Sequence, residues 1–408
     1  MPDTKDKPSR VLLFGFLAFS LVVLGTLVAV EIGLRIAGYS YPPLFMYDPD
    51  VGARHRPSAS GWQIKEAKQY ITINAQGIRV PSNQPEMIFS LKKKPETYRI
   101  AVFGDSYTEG LQVTYRERFT HIMERLLNRC PAKPNKIIEV INFGLSGTGQ
   151  ARQMAYYQSI GRQFEPDAVF DMVYPGNDFR NNVRSWRRSP HVPYWDIDQS
   201  GELVIDTSFR DDPTFQRKLK WSYLRQEVVK HSRILQLATE AYVGSVLKPR
   251  QLAKKDSGVE LPPNSVPLEY AAPRDPVRRK AWSIFMAGIK KWAKDVAAEN
   301  RLFMLSVFPT RTRMVTEEWA ELKALHGDRV SEDHLDRVLK AYGDEIGFVY
   351  LPIVAAMYEK ARLQDLDYWY HAYINQSGGH FNAIGHRVAG EELARQICAY
   401  WSTRHRRR

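Results

Sequence analysis

Residues 101–110 read AVFGDSYTEG. The apolar run 100–103 breaks at Gly104-Asp105-Ser106 into polar residues, the pattern of a buried strand that ends in a tight turn with a serine at its tip. A serine at the carboxyl end of a parallel strand lies where open α/β sheets bind ligands. Its hydroxyl is a weak nucleophile until a base takes its proton. The rest of the chain must therefore supply a base, and donors able to hold an anion, if this serine is to do chemistry.

Working outward, strands are expected at 99–103, 137–141, 168–174, 302–308 and 348–351, the last three closed by Pro175-Gly176, Pro309 and Pro352. Between the first two strands, Thr114 and Glu117 fit a capping box. Phe119, Ile122, Met123, Leu126 and Leu127 then repeat at helical spacing and make one buried face. Asn382 suits the cap of a last helix whose apolar side carries Ile384, Val388, Leu393, Ile397 and Trp401. Strands alternating with helices imply a parallel sheet of about five strands covered on both faces.

Three further loop blocks fall at strand ends or before the last helix. They are Asn142-Phe143-Gly144-Leu145-Ser146-Gly147-Thr148-Gly149, then Gly176-Asn177-Asp178, then Ser377-Gly378-Gly379-His380-Phe381-Asn382. Together with Gly104-Asp105-Ser106, and in this order, they resemble the SGNH family, also called GDSL hydrolases. The resemblance covers residues 96–180 and 280–402. It implies a three-layer, flavodoxin-like α/β fold and a serine ester hydrolase. Carried over motif by motif, the catalytic pair is Ser106 and His380. The oxyanion donors are the Ser106 and Gly147 backbone N–H groups and the Asn177 side-chain amide. His386, six residues after His380, reads as a helix-face histidine.

One departure stands out. Members of the family carry an aspartate three residues before the histidine, to orient the imidazole. Here that position is Ser377, followed by Gly378. The nearest upstream carboxylates, Asp365 and Asp367, are the candidate third members of the triad. A Ser-His dyad is the alternative, and so is a fold kept for binding alone.

Residues 11–30 form an uncharged apolar run, long enough to cross a bilayer and longer than a usual signal-peptide core. Lys5, Lys7 and Arg10 precede it, and only Arg35 follows closely. The positive-inside rule then leaves 1–10 in the cytoplasm and the bulk of the chain outside, a single-pass protein of the inner (cytoplasmic) membrane with its catalytic domain on the periplasmic side. A cleaved signal is the other reading, and it exports the domain equally.

The net charge of +13 invites a nucleic-acid partner. The basic residues are scattered, however, and an exported domain meets little DNA, so none is expected. The cluster 184–188 and the tail 403–408 suit acidic polysaccharide or anionic lipid headgroups. No Cys/His/Asp spacing suggests a metal, and no glycine-rich loop suggests a nucleotide, so no cofactor is expected.

The two cysteines, Cys130 and Cys398, fall on helices that are neighbours in a flavodoxin-like sheet. A disulfide and two buried thiols are both open. Residues 31–95 form an extension with a strand signal at 70–74, read as edge packing and a stalk. Residues 181–275 interrupt the hydrolase domain (96–180 and 276–402) with strand signals at 194–197 and 203–205, a helical stretch near 213–245 and a proline-rich connector. This insertion is a lid candidate. The aromatic run 368–373, with His371, reads as packing or as a rim for sugar rings. The functional expectation is a membrane-anchored esterase acting on ester groups, O-acetyl among them, of carbohydrate or lipid in the envelope. An O-acyltransferase with the same Ser-His pair and a non-catalytic polysaccharide-binding scaffold are the alternatives.

Overall fold

The computed structural model describes residues 7–64, 66–187, 189–243, 245, 266–314, 316–369 and 379–405. Ser377, Gly378, His371 and most of the proline-rich connector lie outside the described residues.

The chain opens with helix α1 (Lys7–Ile36), whose stretch Val11–Ile36 is apolar, exposed and long enough to span a membrane. The extension follows as β1 (Phe45–Asp48), β2 (Gly52–His55), β3 (Ser60–Gln63), β4 (Gln69–Ile73) and β5 (Arg79–Val80). The first two pair antiparallel, and the last three form a small antiparallel sheet.

The central sheet begins with β6 (Thr97–Gly104), the one-turn helix α2 (Ser106–Glu109), α3 (Phe119–Leu127), β7 (Ile137–Asn142), α4 (Gln150–Ser159) and β8 (Ala168–Val173). The short helices α5 (Asp178–Asn181) and α6 (Arg184–Arg187), the strands β9 (Tyr194–Ile197) and β10 (Leu203–Asp206), and the helices α7 (Pro213–His231) and α8 (Arg233–Tyr242) make up the insertion. Then come α9 (Pro276–Ala298), β11 (Leu302–Val307), α10 (Thr316–His326), α11 (His334–Ile346), β12 (Val349–Tyr350), α12 (Val354–Gln364) and α13 (Ala383–His405).

The five-stranded sheet is parallel throughout, in the order β7-β6-β8-β11-β12. In order of appearance that is 2-1-3-4-5, the flavodoxin-like order. Its switch point lies between the first and third strands, β6 and β8, which is where such sheets hold their ligands.

Alternation along β6 builds the two cores. Ile100 and Val102 point to one face, with Phe119 and Met123 of α3, Met357 of α12, and Val388, Leu393 and Ile397 of α13. Ala101 and Phe103 point to the other, with Met154 of α4, Phe285 and Trp292 of α9, and Leu339 of α11. All these strand residues are fully buried, as parallel sheets require.

Two expectations shift in detail. Thr114 does form the capping box, donating its N–H (2.9 Å) and hydroxyl (2.8 Å) to Glu117. It caps a single 3₁₀ turn, Tyr115–Glu117, and α3 starts two residues later. Ile384 is not on the apolar side of α13. It sits in the first turn, 36 % exposed, where the helix leaves the core, while Val388, Leu393, Ile397 and Trp401 are buried. Asn382 caps this helix, accepting from Ile384 N (2.9 Å) and Gly385 N (3.0 Å).

Cys130, just past α3, and Cys398, late in α13, are joined as a disulfide with a Cα–Cα separation of 5.9 Å. The extension is more than a stalk. Arg79 of β5 is buried beneath the turn after Ser106, donating to Gly110 O and to Val113 O (2.6 Å). Helices α7 and α8 pack toward β1 and α1.

Candidate active site

Strand β6 delivers its serine through a close backbone approach. A Cβ on Gly104 would lie 2.0 Å from Thr108 Oγ1, so the turn has room only for glycine there. Asp105 caps α2 by accepting from Tyr107 N at 2.9 Å, and Gly110 closes it in the left-handed region at φ 62°. Ser106 is the first residue of α2, so its N–H has no acceptor inside the helix.

His380 arrives from the other end of the chain, in the loop before α13. Tyr107 holds that loop: its hydroxyl donates to Gly379 O at 2.9 Å and receives Trp369 Nε1–H at 3.2 Å. His380 Nε2 then lies 2.7 Å from Ser106 Oγ. Ser106 and His380 are only partly covered, so the pair is reachable from solvent.

The carboxylate on the far side of the imidazole is Glu66. Its oxygens lie 2.9 and 2.8 Å from His380 Nδ1, and one also accepts the His380 backbone N–H at 3.2 Å. Glu66 belongs to the connection between β3 and β4, more than three hundred residues away in sequence. Asp365 and Asp367, the expected candidates, are placed otherwise. Asp365 ends α12 in the left-handed region at φ 50°, and Asp367 Oδ1 accepts from Trp369 N at 3.0 Å. Both stand before the Tyr368–Trp369 segment, in which Trp369 bridges to Phe381. Burial pushes the His380 imidazole down, but the Glu66 hydrogen bond and charge, with Asp105 and Glu109 behind them, more than offset this and hold it above its ordinary 6.5.

Gly147 and Asn177 come to the same edge. Gly147 has φ 68°, which only glycine adopts without strain, and a Cβ there would lie 3.1 Å from Arg187 Nη2. Asn177 donates one amide N–H to Asp105 Oδ2 at 2.8 Å. The amide carries two N–H donors. Asp105 is fully buried, and burial pushes its carboxyl up despite the bonds from Tyr107 N and Asn177.

Beneath Gly147 runs a second buried link that the sequence does not announce. Glu109 of α2 sits 2.5 Å from His55 Nε2 of β2 and accepts from the Ser146 hydroxyl. The extension therefore reaches the site three times, through Glu66, His55 and Arg79. His386 lies fully buried in α13. Burial, then Arg118 and Arg79, lower it to about 3, so it is neutral and unable to exchange places with His380.

The 2-1-3-4-5 parallel sheet, with serine after its first strand, asparagine after its third and histidine before the last helix, has the order that the resemblance to the SGNH family implies. No family model matches the chain, and no curated protein matches it. Solved structures do overlap it. One is a protein of the G-D-S-L family from Desulfitobacterium hafniense, described as lipolytic, with 11% identity, TM-score 0.31 and coverage of 73% of this chain and 98% of that one. A catalytic variant of an acetylxylan esterase from Geobacillus stearothermophilus shows 13% identity and TM-score 0.36, covering 76% and 96%. A two-domain esterase active on acetylated mannans shows 10% identity and TM-score 0.36, covering 75% and 50%. Similarity at this level carries nothing about substrate.

Proposed function

We propose that this chain is a serine ester hydrolase, held by α1 in the cytoplasmic membrane with its hydrolase domain outside. Its substrates are ester groups, O-acetyl among them, on carbohydrate or other envelope polymers. The observation that carries this reading is the continuous hydrogen-bonded line Ser106 Oγ–His380 Nε2 (2.7 Å) and His380 Nδ1–Glu66 (2.8 Å).

In this mechanism Ser106 Oγ attacks the ester carbonyl while His380 takes its proton. Glu66 holds the imidazole in the tautomer that leaves Nε2 free to accept, and stabilises the imidazolium that forms. Negative charge on the carbonyl oxygen meets the Ser106 and Gly147 N–H groups and the second amide N–H of Asn177, the first being held by Asp105. His380 returns the proton to the leaving alcohol, and a water, activated by the same imidazole, releases the acid from Ser106. A binding-only role drew its support from the missing loop carboxylate, and Glu66 removes that support.

Three features favour the compartment and the polymer. Lys5, Lys7 and Arg10 precede the apolar run of α1, which suits a cytoplasmic N-terminus. The Cys130–Cys398 disulfide suits an oxidising space. Arg180 and Arg187 stand exposed beside the Asn177 and Gly147 loops, and no carboxylate among the described residues forms an ion pair with either. Their charge draws acidic polymers to this edge.

The test is a fluorophosphonate probe and p-nitrophenyl acetate applied to the full chain in detergent, beside Ser106→Ala and His380→Ala. Labelling and turnover are expected in the native chain and in neither variant. Turnover that survives Ser106→Ala would refute the mechanism. Acyl label that moves to an added glycan in place of free acid would make the protein a transferase.

A further inference from the structure

Helix α7 buries Phe215, Gln226 and Val229 and turns Trp221, Leu224 and Val228 outward, at 59%, 57% and 55% exposure. The outward three stand at i, i+3 and i+7, a single stripe. Arg217, Lys218, Lys220 and Arg225 flank it, exposed and without an ion-pair partner among the described residues. In α8, Leu237 and Tyr242 are exposed as well. A soluble surface gains nothing from such a stripe, whereas a basic-flanked apolar face is the pattern of a helix lying in a membrane interface.

Its position in the fold names the occupant. The corner between α7 and α8 is bound to the end of α1. Glu31 accepts Arg233 N (3.0 Å), Ile234 N (3.1 Å) and the Ser232 hydroxyl (3.2 Å), so it occupies the N-terminal cap of α8. Arg35 Nη2 donates to His231 O, the last carbonyl of α7, at 2.7 Å. Leu27, Val28 and Ile32 of α1 face Ile234 and Leu235 across an apolar groove. The apolar run of α1 ends just before Glu31. At about 1.5 Å per residue its twenty residues match the roughly 30 Å of hydrocarbon in a bilayer. The corner is therefore tied to α1 at the level where acyl chains meet headgroups.

We propose that α7 and α8 rest in the interface of the membrane that α1 spans. Trp221, Leu224 and Val228 enter the upper acyl region, and Arg217, Lys218, Lys220 and Arg225 meet anionic phospholipid headgroups. The domain is then held against the bilayer at a fixed height by two attachments. Arg56 of the extension, buried, pairs with Glu227 of α7, so this contact is also tied to the segment that carries Glu66. The inference rests on α1 lying in a bilayer and is independent of the chemistry at Ser106.

The test labels the full chain at Leu224→Cys with an environment-sensitive fluorophore, the two native cysteines being occupied by their disulfide. Leu363→Cys, at an exposed site on α12, is the reference. Both are reconstituted in nanodiscs of phosphatidylcholine with a minority of phosphatidylglycerol. The Leu224 label is expected to emit to the blue of the Leu363 label. Nitroxide lipid should quench it, and aqueous iodide should quench it several-fold less than the Leu363 label. Equal iodide quenching at the two sites would overturn the proposal. So would release of the unlabelled chain from membranes by alkaline carbonate, which would point to α1 itself. Ester turnover is not read in either arm, so the hydrolase reading stands or falls elsewhere.

Discussion

Glu66 and His380 form a pair whose protonation can be followed. The imidazole, held above its ordinary 6.5, must be neutral to take the Ser106 proton. The rising limb of kcat/KM against pH is therefore expected to have its midpoint above 6.5. Glu66→Gln removes the charge and replaces one carboxylate oxygen with an N–H donor. It is expected to lower kcat by up to about 10⁴-fold, as loss of the acid does in a triad. The surviving limb should move to lower pH, because burial is then opposed only by the Asp105 and Glu109 charges. Asp365→Asn and Asp367→Asn are expected to leave that midpoint in place, and steady-state kinetics across pH separates the cases. The pair also enters stability. Because the folded imidazole binds its proton more tightly than the unfolded one, its contribution is complete below 6.5 and is lost as pH rises through the folded value. Thermal melts of Glu66→Gln should differ from the native chain at acid pH and converge with it at alkaline pH.

Among the elements, the β9–β10 hairpin depends on one helical glycine. Trp195 of β9 lies fully buried, and a Cβ on Gly288 of α9 would come within 2.0 Å of its ring. The ring is rigid and sits in a packed core. Gly288→Ala is therefore expected to destabilise the fold by about 1–3 kcal/mol, the range for overpacking, despite alanine's better helix propensity. Urea denaturation checks this, and kcat of the folded fraction should be unchanged. Much at this scale was legible in the chain. The four long sheet strands announce themselves by predominantly apolar runs, since a parallel sheet buries both faces of each strand. Strand β12, at one edge of the sheet, keeps only two residues and pairs with β11 alone. The strands β1, β2, β3 and β5 went unread: they are four residues or fewer and lack the Ser200-Gly201 turn signal that marks the equally short β9 and β10.

For the whole molecule, the Cys130–Cys398 bridge ties α3 to α13 and closes a loop of 268 residues. Such a link stabilises by about 2–5 kcal/mol, chiefly by restricting the unfolded chain. The double variant Cys130→Ala/Cys398→Ala should melt lower, by about 2–6 °C for a chain of this size. Scanning calorimetry with and without reductant checks it: the native chain in reductant should approach the variant, and the variant should not respond. Since Cys130 follows α3 and Cys398 lies late in α13, and neither belongs to the loops that carry Ser106, Gly147, Asn177 and His380, initial esterase rates at low temperature should not change.

The order of the blocks around Ser106, Gly147, Asn177 and His380 was determined by local sequence. Each is a short turn whose glycines and caps are specified by their immediate neighbours, and strands of one hand bring such turns to one edge. The partner of His380 was not. Glu66 stands in a plain surface-type stretch, Lys65-Glu66-Ala67-Lys68, with nothing nearby to distinguish it from any solvated glutamate. Only the folding of the extension over the sheet edge, fastened by Arg79 under Gly110 and by His55 on Glu109, brings its carboxylate to the imidazole. The tie between Glu31 and the start of α8 is of the same kind. Hydrogen bonds between residues two or three hundred positions apart leave no periodic trace in the chain, because they follow from packing and not from the local backbone.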